Sequence, residues 1–141
     1  MKIFDPNDRG FKPRADMYLP VFLKGFGYFL DAVGIVLGAV AIATQLWGLF
    51  VVTAITLPLG IAAYLCWKNQ TVRILDEETF EYSTFLGNKK IYKFSEIKSL
   101  RTNSDSMTLF VGDGTVHIEA MAIISKEFTD KIDAALDKLN G

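Results

Sequence analysis

The sequence predicts an α+β membrane protein, in which a hairpin of two transmembrane helices precedes an antiparallel β-meander closed by a C-terminal helix. Three observations support this fold class: a nearly uncharged apolar block at residues 21–67, a concentration of charge after it, and short β-rich runs between turn residues. Residues 1–67 carry four acidic and five basic side chains, against twelve and ten in residues 68–141. We therefore separate a cytoplasmic N-terminal segment (1–20), a hairpin (21–67) and a soluble domain (68–141).

The apolar block is long enough for two membrane spans and too long for one. Across residues 21–67 the only charged side chains are Lys24 and Asp31, and one span needs about 20 apolar residues. The polar break at residues 44–48 predicts spans at 21–43 and 48–67 in antiparallel arrangement. A signal peptide is disfavoured, because its apolar region is about 7–15 residues long and lies nearer the N-terminus.

Positive charges flank the outer ends of both predicted spans, and the turn between the spans has none. Basic residues concentrate on the cytoplasmic side of membrane proteins. Both termini are therefore expected in the cytoplasm of a cell whose inner membrane holds the hairpin, with Trp47 at the opposite interface. The flanking residues are Lys2, Arg9, Lys12 and Arg14 before the first span, and Lys68 and Arg73 after the second.

Small residues in both spans predict close helix packing. Gly34 and Gly38 form a G-x-x-x-G spacing in the first span, and Gly60 belongs to a small-residue stripe on the second. Glycines at this spacing let helix backbones approach closely. One interpretation is that these faces pack within a single hairpin, and the other is that they join protomers of a homo-oligomer.

Asp31 is the most informative single residue of the apolar block. If the first span starts at residue 21, Asp31 lies roughly 15 Å along the helix, near the membrane midplane, where a carboxylate suggests a functional role. If the span instead starts near residue 29, Asp31 is interfacial and Lys24 extends towards water. Three partners for the carboxyl group are considered: the Tyr28 hydroxyl, the Ala54 carbonyl that Pro58 would free, and Lys24.

The soluble domain reads as six short strands and a helix. The predicted strands cover residues 71–75, 79–86, 90–94, 97–102, 107–111 and 115–120, and the last two flank Asp113-Gly114, a favoured hairpin pair. Ser125 is a suitable N-cap for an amphipathic helix. Its apolar stripe consists of Phe128, Ile132, Ala135, Leu136 and Leu139.

This order resembles the bacterial pleckstrin-homology-like domains that follow paired transmembrane helices in small membrane proteins. The resemblance covers about half of the chain. It implies a sheet sandwich or partly open barrel capped by the helix, and a binding or assembly role without catalysis. The segments that carry it are TVRILDEETFEYST, NKKIYKFSEIKSL, MTLFVGDGTVHIEA and SKEFTDKIDAALDKL.

The sequence offers no set of residues for catalysis, for a cofactor or for a metal ion. His117 is the only histidine and Cys66 the only cysteine, so a metal cluster built on these side chains is not expected. Cys66 is either an inert thiol or, near the end of a span, a palmitoylation site. Net charge of −1 argues against nucleic-acid binding.

Five basic side chains form a candidate ligand- or lipid-binding set: Lys89, Lys90, Lys93, Lys98 and Arg101. The alternative is a solvated face that neighbouring acids balance. The leading functional hypothesis is a membrane-anchored binding or assembly module for a protein, a lipid headgroup or a small ligand. Two alternatives stay open: a ligand-gated effector or small channel of oligomerised hairpins, and an accessory subunit of a larger membrane complex.

Overall fold

The computed structural model describes residues 2–5 and 14–141 and shows an α+β chain. Two long apolar helices precede most of the β-structure, and a third helix ends the chain. Both apolar helices begin and end within two residues of the bounds expected from the sequence. The elements are β1 (Lys2–Phe4), β2 (Met17–Tyr18), α1 (Phe22–Thr44), α2 (Leu49–Asn69), β3 (Thr71–Ile74), β4 (Thr79–Ser83), β5 (Lys89–Lys93), β6 (Ile97–Thr102), β7 (Ser106–Val111), β8 (Gly114–Glu119), β9 (Ile123–Ser125) and α3 (Lys126–Asn140).

Two strands of the N-terminal segment, β1 and β2, belong to the β domain, which the division at residue 20 did not anticipate. Six strands form one sheet in the order β1-β9-β2-β3-β4-β5. β2 pairs antiparallel with both β3 and β9, and β1 pairs parallel with β9 from Lys2↔Ile123 to Phe4↔Ser125. The prediction of a purely antiparallel six-stranded meander is therefore corrected: all six expected strands are present, but β1, β2 and β9 add to them. Arg9 and Lys12 lie outside the described residues.

The second sheet has three strands in the order β6-β7-β8, so the six- and three-stranded sheets do not close into one hydrogen-bonded barrel. Its β7–β8 hairpin turns at Gly112-Asp113, since Val111 pairs with Gly114. Gly112 has φ of 57°, a left-handed conformation that glycine adopts without steric cost. The expected pair Asp113-Gly114 was therefore wrong by one residue.

The core of the domain lies between the sheets and α3. Its centre is an aromatic cluster. The centroid of the Phe80 ring lies 4.9 Å from that of Phe94 and 5.4 Å from that of Phe128. Phe80 and Phe128 are fully buried. The fold therefore depends on one helix face contacting residues from β4 and from the 3-10 turn Phe94–Glu96.

Replacing Ser125 with alanine is expected to lower the free energy of unfolding by about 1 kcal/mol, within the range of about 0.5–2 kcal/mol for lost N-caps. The buried Ser125 hydroxyl accepts a hydrogen bond from the Phe128 amide at 3.1 Å, and this confirms the predicted cap. Chemical denaturation of the detergent-solubilised chain measures the effect. Ser104→Ala, at an exposed position, is the control, and equal stability of the two variants would contradict the role of the cap.

Candidate functional site

The two-helix hairpin leaves most of its apolar surface uncovered. Each helix is long and apolar enough to cross a membrane, and only 17% of the most apolar stretch of α1 and 6% of that of α2 is buried. Phe29 and Ile35 on α1, and Ile55 and Leu59 on α2, are more than half exposed. This hairpin therefore differs from the core helices of a soluble domain, which are largely buried.

Glycines hold the two helices together within one hairpin. A Cβ atom at Gly27 would lie 2.7 Å from the Gly60 carbonyl oxygen, too close for any side chain. Gly34 and Gly38 are also buried, and the Thr53 hydroxyl donates a hydrogen bond to the Gly34 carbonyl at 2.9 Å. The predicted packing glycines thus lie at the α1–α2 contact, together with Gly27, which the G-x-x-x-G spacing did not reveal.

Asp31 faces α2 at Gly60 and is not paired with any of the partners expected for it. Its Oδ1 atom is buried and has no hydrogen-bond partner among residues 2–5 and 14–141. The Tyr28 ring instead stacks on Tyr64, with 5.5 Å between centroids. Lys24 directs its Nζ towards the Trp67 ring. Asp31 lies seven residues from Lys24, about 10 Å further along the helix at 1.5 Å per residue.

The base of the hairpin, where α1 begins and α2 ends, brings two cations onto one indole ring. The Arg14 guanidinium carbon lies 4.3 Å from the Trp67 ring centroid, and Lys24 Nζ lies 4.7 Å from it. Arg14 also donates hydrogen bonds to the carbonyls of Trp67 at 3.1 Å and of Lys68 at 3.5 Å. Of the two cations, Arg14 comes from the N-terminal segment and Lys24 from α1. The sequence showed Arg14 only as one of several flanking positive charges.

Burial and two neighbouring side chains shift the pKa of Arg14. Partial burial lowers the pKa of its guanidinium from the ordinary value; the Tyr18 hydroxyl opposes this effect, and the positive charge of Arg73 adds to it. Arg73 lies in β3, the strand that comes directly after α2. This strand therefore adds positive charge to the base of the hairpin.

Polar and apolar contacts fix the hairpin base to the β domain. The Asn69 amide donates to the Phe85 carbonyl at 2.8 Å, and Gln70 Nε2 donates to the His117 carbonyl at 3.4 Å. Leu23 and the partly buried Cys66 pack against the domain core. The helices are thus joined to the domain by more than one backbone connection.

The predicted basic residues are distributed over both sheets. Lys90 pairs with Asp113 at 2.9 Å; this hydrogen bond raises the pKa of Lys90 and lowers that of Asp113, which nearby Lys98 lowers further. Lys93 lies at the other end of β5 from Lys89. Arg101, like Lys98, belongs to the second sheet.

Lys93 contributes instead to a groove of about 550 Å³ between α3 and the ends of β4 and β5. The groove lies at the β3–β4 turn, whereas Asn69 and the β4–β5 turn lie at the other end of these strands. Lys131 spans its edge with an ion pair to Glu77 at 3.1 Å. Its apolar lining is Phe94, Ile97, Ala134, Ala135 and Leu139, and its charged rim is Glu77, Glu78, Lys93, Lys131 and Lys138.

Comparison with known proteins adds no relative from which a function can be transferred. Family models, curated proteins and solved structures all give no match to this chain. The resemblance to pleckstrin-homology-like domains that the sequence suggested therefore stays a prediction. Functional inference depends on the geometry of the hairpin, its base and the groove.

Proposed function

We propose that this chain is a non-enzymatic, membrane-anchored binding module, whose pleckstrin-homology-like domain is held at the cytoplasmic face of a bacterial inner membrane. The hairpin is the anchor: its outward side chains are apolar, and burial of apolar surface away from water is favourable by about 25 cal/mol per Å². Positive charge at its base and none at the Thr44–Leu49 turn supports cytoplasmic termini.

The groove beside α3 is the observation that carries the binding role. Its apolar floor and its rim with charges of both signs match a segment of a partner protein with apolar anchors and mixed charge. A phosphate ligand would meet Glu77 and Glu78 there, which disfavours a lipid headgroup at this end of the sheet. The groove also lies away from the hairpin base, so an anchored domain would leave it open to the cytoplasm.

Photo-cross-linking in native membranes tests this proposal. With a photoreactive residue at Lys138, which lines the groove, we expect a discrete protein adduct. Ala134→Trp fills the groove from the same helix and should abolish the adduct. Asn140→Trp, an exposed position of α3 outside the groove, should leave it intact. Groove binding would be refuted if no adduct formed, or if the adduct were equally strong in both tryptophan variants. If the cross-linked partner is a membrane protein, the chain is an accessory subunit.

The effector alternative is favoured by one observation, the unpartnered Oδ1 of Asp31 inside the hairpin. Oligomerised hairpins that conduct ions through this carboxyl group would carry a flux in proteoliposomes that Asp31→Asn abolishes. A binding module predicts the same background flux for wild type, for Asp31→Asn and for empty liposomes. Flux above background in wild type alone would replace the leading proposal with the channel.

A further inference from the structure

The hairpin base combines features that neither helix packing nor partner binding at the groove explains. Arg14 and Lys24 are separated by ten residues, yet both place their charges within 5 Å of the centroid of the Trp67 ring. Over the described ranges 2–5 and 14–141, no ion pair involves either cation. Stacking on the Trp67 ring favours each cation, and an anion at this place would add an ionic partner that the described part of the chain does not supply.

Trp67 adds a hydrogen-bond donor to the same place. Its indole Nε1 is buried and has no acceptor in the described part of the chain. A buried polar group without a partner costs free energy, and an anion oxygen would recover it once the side chains that cover Nε1 move aside. Arg14 uses two hydrogen bonds on the carbonyls of Trp67 and Lys68, which leaves three of the five guanidinium N–H groups for a ligand.

Capping of α2 is a competing explanation for Arg14 alone. A cation near the last carbonyls of a helix is stabilising, and the two hydrogen bonds of Arg14 fit that role. Capping does not account for Lys24, which belongs to α1 and, in the described part of the chain, is placed over the Trp67 ring and not hydrogen-bonded to those carbonyls. It also leaves the Trp67 donor without an acceptor.

We propose that Arg14, Lys24 and Trp67 form a site for the phosphate group of an anionic phospholipid. The proposal rests on the proposed membrane anchor, since Lys24 lies in the first turn of α1 and Trp67 near the end of α2, at the depth where headgroups of the cytoplasmic leaflet would lie. Tryptophan is enriched at this interface, and guanidinium and ammonium groups are the usual phosphate ligands. The site is distinct from the basic set of β5 and β6.

Quenching of Trp67 fluorescence by brominated lipids tests the site in the full chain. Trp47→Phe leaves Trp67 as the only tryptophan, because the chain has two. Reconstitution uses phosphatidylglycerol and phosphatidylcholine in one fixed ratio, with the acyl-chain bromine on either the anionic or the zwitterionic lipid. We expect stronger quenching by brominated phosphatidylglycerol than by brominated phosphatidylcholine. Each of the two cations should enrich phosphatidylglycerol at Trp67 about fivefold, the factor expected for one basic residue near an anionic surface.

Variants separate the site from general surface charge. Arg14→Gln combined with Lys24→Gln should reduce the enrichment to none, and Arg14→Lys should retain most of it. Lys68→Gln, an exposed neighbouring cation, should leave it unchanged. Equal quenching by both lipids in the parent protein, or enrichment that survives the double substitution, would overturn the proposal.

Two further outcomes are distinguishable in the same assay. If neither brominated lipid quenches Trp67, the hairpin is not in the bilayer, and the membrane anchor itself is refuted. If inorganic phosphate, added at constant ionic strength, removes the preference for brominated phosphatidylglycerol, the site takes a soluble phosphate and the lipid assignment is overturned. Persistence of the preference in phosphate supports the lipid.

Discussion

Replacing Phe80 with alanine is expected to lower the free energy of unfolding by about 3–5 kcal/mol, the usual cost of removing a buried phenylalanine ring. Phe80 is fully buried, and its ring contacts those of Tyr92, Phe94 and Phe128 at centroid distances of 4.9–5.8 Å. The loss should be visible as an earlier cooperative transition in denaturant, followed by near-UV circular dichroism in detergent.

Phe85→Ala is the matched control for that experiment. Phe85 lies in the β4–β5 turn with 42% of its surface exposed, and substitutions at such surface positions usually change stability by less than about 0.5 kcal/mol. Similar losses for Phe80→Ala and Phe85→Ala would show that the aromatic cluster is not the centre of the domain core.

Gly27→Ala is expected to destabilise the hairpin by about 1–3 kcal/mol, as is typical of overpacking at a tight contact. The added Cβ would lie 2.7 Å from the Gly60 carbonyl oxygen and 3.2 Å from the Tyr64 amide nitrogen. Both atoms belong to the α2 backbone, so the helices would have to separate. Unfolding of the hairpin in mixed micelles, followed by far-UV circular dichroism, measures the change.

Gly25→Ala isolates this contact from helix propensity. Gly25 lies in the same helix, two residues away, and outside the adjacent backbone of that helix nothing lies within 4 Å of a Cβ built there. Alanine is favoured over glycine by about 1 kcal/mol within helices, so Gly25→Ala should be neutral or stabilising. If both variants behave alike, α1 and α2 do not pack through Gly27.

The elements with strong local patterns were predictable from the sequence. The two spans are defined by uninterrupted apolar residues, and β3–β8 by β-favouring runs between turn residues. Ser125 identified the start of α3 because its side chain can cap the free amides of the first helical turn. Each of these signals comes from residues adjacent in the chain.

Pairings between distant short segments were not predictable. β2 has two residues and β1 and β9 have three each, too few to show an alternating pattern. Their stability comes from partners such as Ile123 for Lys2, more than one hundred residues away. The N-terminal segment was therefore separated from the β domain, although β1 and β2 belong to the larger sheet.

The candidate sites depend on the same long-range pairings. Trp67 is the last residue of the predicted second span, but nothing in the sequence indicated that the segment before β2 brings Arg14 to its ring. The groove combines the β3–β4 turn with α3, elements about fifty residues apart, so Lys93 and Lys131 gave no joint signal. Charge counting instead grouped Lys89, Lys90, Lys93, Lys98 and Arg101 by proximity in sequence, although the first three belong to the larger sheet and the last two to the smaller one.

Alkaline carbonate extraction of membranes from cells that express the full chain is the most direct test of the membrane anchor. Such treatment releases peripheral proteins and leaves proteins with membrane-spanning helices in the pellet. We expect the chain to remain entirely in the pellet and to be solubilised only by detergent, because the outward faces of α1 and α2 are apolar. A stable, compact species in the supernatant without detergent would contradict the account.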